Sequence, residues 1–102
     1  MTNEEFFSFL TNRFNEISTL SRNKAIEYND GDAFENFDKA SKILNIEKEN
    51  VALHYMTKHL VSLVDIVENK RNRHLIKEKT NDIIVYAMLI DAMLSEKNNS
   101  NN

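Results

Sequence analysis

Two stretches decide the fold: Val51-Ala-Leu-His-Tyr-Met-Thr-Lys-His-Leu-Val-Ser-Leu-Val-Asp-Ile-Val67 and Glu78-Lys-Thr-Asn-Asp-Ile-Ile-Val-Tyr-Ala-Met-Leu-Ile-Asp-Ala-Met-Leu94. In both, aliphatic residues recur at helical spacing and not at the alternation of a strand. The first presents Leu53, Met56, Leu60, Leu63, Val64 and Val67 to a core. The second is apolar nearly all round between Ile83 and Leu94, which calls for burial on most sides. Between them, Lys70-Arg-Asn-Arg-His74 reads as a solvated turn, so the two helices form an apolar hairpin. A chain of 102 residues supplies only a modest core. A homodimer or larger helical assembly is therefore expected.

Working outward, Thr2-Asn-Glu-Glu5 has the spacing of a capping box and opens a first helix that runs to about Tyr28. Phe6, Leu10, Phe14, Ile17 and Ser21 share one of its faces. Asn29-Asp-Gly-Asp32 is the strongest turn signal in the chain and contains its single glycine. Asp32 then reads as an N-cap, with Glu35 three residues on. Phe34, Phe37, Ala40, Ser41 and Leu44 mark a shorter second helix, which Asn45-Ile-Glu-Lys48 breaks. The third helix starts near Lys48, and the fourth runs from about His74 to Glu96. The asparagine-rich residues 97–102 read as a disordered polar tail. With no proline, the fold class is all-α: an antiparallel bundle of about four helices in one domain, residues 1–96.

Composition removes several function classes. There is no cysteine, so disulfides and thiolate metal sites are excluded. No apolar run approaches the ~20 residues that span a bilayer. The start Met-Thr-Asn-Glu-Glu lacks the basic opening of a secretory signal, so a cytoplasmic protein without a membrane partner is expected. The net charge of −3 and the mixing of both signs along the chain argue against nucleic-acid binding through phosphates.

The polar residues inside the apolar stretches are the candidates for chemistry, because such groups are costly there unless they find partners. His54, Lys58, Ser62 and Asp65 form one stripe of the third helix. His59 lies beside Met56 and Ser62, where a histidine is ordinarily a hydrogen-bonded core residue. Glu78, Asp82 and Tyr86 share a face of the fourth helix. An ion pair of these carboxylates with Lys58 or Lys79 is the plain structural reading. The alternative is a site. In an antiparallel hairpin turning near Asn72, the rise of about 1.5 Å per residue puts Asp65, Glu68, Glu78 and Asp82 at similar heights. Carboxylates grouped in this way repel unless a cation joins them, and Mg²⁺ or Mn²⁺ is the natural choice. Glycine-rich phosphate loops, nucleophile elbows and His-Glu-x-x-His motifs are absent from the sequence.

Four segments, Lys24-x-x-Glu-Tyr28, Asp32-Ala-Phe-Glu-Asn-Phe37, Met56-Thr-Lys-His-Leu60 and Glu78-Lys-x-x-Asp-Ile-Ile-x-Tyr86, occur in an order that resembles small phage-encoded all-helical proteins. That group is similar to the MazG-like NTP pyrophosphatase superfamily and to phage nucleotide-modification-associated domains. The resemblance implies a nucleotide-binding protein, in its enzymatic form a Mg²⁺-dependent (d)NTP pyrophosphohydrolase of phage nucleotide metabolism. Glu78 and Asp82 match the second paired-carboxylate motif of that superfamily, at a spacing of four instead of three, and take the catalytic and metal roles. Asp65 and Glu68 would complete the metal set. Lys58 and His59 suit a phosphate, Tyr86 stacks or hydrogen-bonds beside it, and Glu27 and Asn36 fall in the remaining motifs as ligand-binding candidates. A reading from another class is a non-catalytic phage protein acting against its host, sequestering a nucleotide signal or blocking a defence protein such as a CRISPR effector. A third is a plain helical oligomerisation module.

Overall fold

The computed structural model describes residues 1–28 and 31–100, and side-chain surroundings for all of these except residues 25–28 and 100. The described residues form four α-helices and no strand: α1 (Asn3–Tyr28), α2 (Glu35–Leu44), α3 (Lys48–Glu68) and α4 (Ile76–Ser100). The fold is all-α, as the missing proline and the helical periodicity predict. The chain divides into two compact units, Met1–Ala33 and Phe34–Asn102.

The first unit is built on α1. Thr2 caps it as the sequence predicts: its Oγ1 accepts from the Glu5 amide at 3.1 Å, and its carbonyl accepts from the Phe6 amide at 3.0 Å. Along the helix Arg13 pairs with Glu16 at 2.8 Å, and the Phe6 and Phe9 rings stack at 6.4 Å. Of the predicted turn, Asn29 and Asp30 lie outside the described residues. Gly31 has a φ of 95°, a conformation that favours glycine at this point.

The second unit is an α3–α4 hairpin with α2 laid against α3. Its antiparallel sense follows from the contacts. Glu47 reaches Lys97, Tyr55 meets Tyr86, and His59 meets Asp82, so positions later on α3 face positions earlier on α4. The helices are joined by residues 69–72 and a 3₁₀ turn, Arg73–Leu75. Lys70 and Asn72 adopt φ of 56° and 53°, so two left-handed residues reverse the chain without glycine. The core gathers Phe34 and Phe37 from the α2 segment, Val51 and Ala52 of α3, and Met93 of α4. Ala40, Ile46, Tyr86, Leu89 and Ile90 pack around it. Asn45 ends α2 in the left-handed conformation, its amide donating to the Ser41 carbonyl, and Ile46 turns in to the core.

Four expectations change. Asp32 is not the cap of α2: Phe34 occupies that position, without a side-chain cap, and its carbonyl accepts from the Asp38 amide at 2.9 Å. Burial of Phe34 and Phe37 sets where the helix starts. The core face of α3 is rotated by about one residue from the predicted one. It buries Ala52 and Ile66 and half-buries Met56, His59, Ser62 and Leu63, whereas Leu53, Leu60, Val64 and Val67 stay exposed. The fully buried Ala52 explains the choice, since a small residue lets neighbouring elements approach closely at the core. The expected pairing of Lys58 with Glu78 or Asp82 is replaced by that of His59 with Asp82. Finally, α4 continues to Ser100, through four residues read as tail. Extending an established helix is far easier than starting one, and Lys97 lies 3.7 Å from Glu47. Residues 101–102 lie outside the described residues.

Candidate functional site

The polar residues of the hairpin meet in one small cluster between α3 and α4. Tyr55 and His59 are one turn apart on α3, and Asp82 and Tyr86 are one turn apart on α4, so each pair shares a face. Antiparallel packing brings the two pairs level. His59 Nδ1 lies 3.4 Å from Asp82 Oδ2, both side chains about three-quarters buried at 23% and 24% exposure. The imidazole stacks on Tyr86 at 5.4 Å between ring centroids, with 25° between planes. Tyr86 meets Tyr55 edge-on at 6.3 Å and Phe37 edge-on at 6.2 Å, and Phe37 meets Tyr55 at 6.0 Å. Aromatic pairs in such tilted arrangements add about 0.5–1.5 kcal/mol each beyond area burial.

The Asp82 carboxylate lies beside one ring nitrogen of His59, and the Tyr86 ring covers one face of the imidazole. The cluster thus joins all three helices of the second unit through aromatic contact and one polar contact.

The Tyr86 phenol is held above the ordinary tyrosine range, first by burial, then by the negative charge of Asp82 and by Tyr55. A raised folded-state value means that the folded protein resists ionisation. The associated stability is intact below the ordinary tyrosine pKa of about 10 and is lost as pH rises through the folded value. Tyr86→Phe is therefore expected to flatten the fall of Tm above about pH 10. An unchanged alkaline fall in that variant would assign it to other groups.

The remaining candidates are spread over the unit. Asp65 is half-buried, and its Oδ1 accepts from Asn69 Nδ2 at 2.8 Å. Lys58, Glu68, Glu78 and Asn36 are exposed. The side chain of Glu27 lies outside those described. Equal height on adjacent helices did not mean a common face for Asp65, Glu68, Glu78 and Asp82. Among the described residues, no group of three or more His, Asp or Glu side chains is placed to hold a metal ion. Sequence reasoning missed Tyr55 and Phe37 as cluster members. The available signal was the pairing of Tyr55 with His59 one turn apart, opposite the matching spacing of Asp82 and Tyr86. Comparison with protein families, characterised proteins and solved structures finds no match to this chain.

Proposed function

We propose that this chain is a helical protein-interaction module that binds through the outward face of α3, with a second copy of itself among its partners. One observation carries the reading. Leu53, Leu60, Val61, Val64 and Val67 occupy one arc of a well-formed helix and are 48%, 39%, 65%, 51% and 65% exposed. Isolated exposed aliphatics are ordinary, but a contiguous row with a polar rim is characteristic of an interaction surface. The first unit has the same character, with Phe6, Phe7, Phe9 and Phe14 all exposed. Among the described residues, no helix is long and apolar enough to cross a membrane. A host protein as partner, as in the anti-defence alternative, would use the same surface.

A second reading is favoured by the aromatic cluster. His59, Tyr55 and Tyr86 provide ring surfaces of the kind on which a nucleotide base stacks, and exposed Lys58 lies next to His59 in sequence for a phosphate. Under the MazG-like resemblance, Glu78 and Asp82 would hold Mg²⁺ or Mn²⁺.

Thermal unfolding separates the two. Self-association makes Tm rise with protein concentration, and this is the expected result. Nucleotide binding instead raises Tm at fixed protein concentration. A ligand at a hundred times its Kd adds about 2.7 kcal/mol, and dependence on Mg²⁺ would support the pyrophosphohydrolase form. A Tm insensitive to protein concentration would contradict self-association.

A further inference from the structure

We propose that α3 pairs with α3 of a second copy in antiparallel sense, about a two-fold axis between Val61 and Ser62. The proposal rests on reading the α3 face as an interface and adds its partner, its orientation and its register.

Leu53, Thr57, Leu60, Val64 and Val67 follow one another at alternating spacings of four and three, the seam of a two-helix packing. All five are exposed, and Val61 widens the row on one side. The seam spans about 21 Å at 1.5 Å per residue. It is free of charged groups, and its opposite border is formed by the half-buried Met56 and Leu63. The occupant must therefore be apolar along the middle and charged along one edge only.

That edge identifies it. His54 and Lys58 stand on the N-terminal side of Val61, and Asp65 and Glu68 on the C-terminal side. His54, Lys58 and Glu68 are exposed, and Asp65, whose Oδ1 accepts from Asn69, is half-buried. The row has a basic half and an acidic half, at nearly equal distances from the axis. An antiparallel copy rotated about it sets Lys58 of one chain beside Asp65 of the other, and His54 beside Glu68, each twice. A parallel pair would instead set this charged edge against the Met56 and Leu63 border of the other chain, leaving its basic and acidic halves without partners. Charge complementarity therefore favours the antiparallel sense, and an isologous two-fold contact pairs the two charged edges with each other. In the seam, Leu60 of one chain then faces Val64 of the other, and Thr57 faces Val67.

The chain has no cysteine, so engineered thiols report orientation without background. The variants Thr57→Cys and Val67→Cys, each at a position exposed in the single chain, are purified, mixed and oxidised. The antiparallel register is expected to give predominantly the mixed disulfide, which joins one variant to the other, in at least severalfold excess over either homodisulfide. Predominant Thr57→Cys homodisulfide would establish a parallel pair and overturn the proposal. Light scattering on the unmodified chain separates the remaining outcomes. A dimer that forms none of these cross-links overturns the α3 register and leaves self-association standing, with α1 as the next candidate surface. A monomer at all concentrations overturns both.

Discussion

Met93→Ala is expected to lower the unfolding free energy by about 2–5 kcal/mol, the range for truncating a buried large aliphatic side chain. Met93 is 1% exposed and closes the core formed by Phe34, Phe37, Val51 and Ala52. Removing its thioether leaves a void between α4 and the α2–α3 pair, in a unit with few other fully buried side chains. For a domain of this size each kcal/mol moves Tm by about 4–8 °C, so the drop should reach about ten degrees or more. Met88→Ala on the same helix serves as the contrast, because Met88 is 59% exposed. Its effect should stay within about 0.5 kcal/mol. Urea unfolding of both variants decides the matter. Equal stabilities would mean that the core does not lie where Met93 is.

Leu60→Asp combined with Val64→Asp is expected to abolish self-association while leaving the helical circular-dichroism signal intact. Both residues are exposed in the single chain, so placing carboxylates there costs the isolated fold little beyond a small loss of helix propensity. At the proposed pairing seam the same carboxylates would be desolvated opposite one another, which costs several kcal/mol without a partner. Weakening by at least about two orders of magnitude in Kd is the expected size, since each 1.4 kcal/mol is about tenfold. A dimer of wild-type affinity in the double variant would remove α3 from the interface.

Much of the fold was legible in the sequence. Thr2 announced the start of α1, Asn45 the end of α2, and the two apolar stretches the hairpin. The phase of α3 was not legible, because Val, Leu and Ile occupy most of its circumference from Val61 to Val67. Two adjacent faces were then nearly equivalent by hydropathy. Packing of Phe34, Phe37 and Met93 around Ala52 decided between them, and those partners are distant in sequence. Likewise Asp82 was visible as a misplaced charge, but Lys58 and His59 are neighbours, and a rotation of one residue exchanged its partner. The carboxylate grouping failed for the same reason: spacing fixes height along a hairpin more securely than it fixes the azimuth of each side chain. The apolar surplus was legible without its location. Hydropathy points to the fourth helix, yet an exposed aliphatic row lies on α3, where the predicted core residues Leu53, Leu60, Val64 and Val67 are exposed.

Sedimentation equilibrium of the wild-type chain over a wide concentration range tests the role of that row most directly. The chain mass is 11.9 kDa. The expected result is a mass tending to twice that value at high concentration and falling back to 11.9 kDa on dilution. A single species of 11.9 kDa at every concentration would contradict self-pairing through α3.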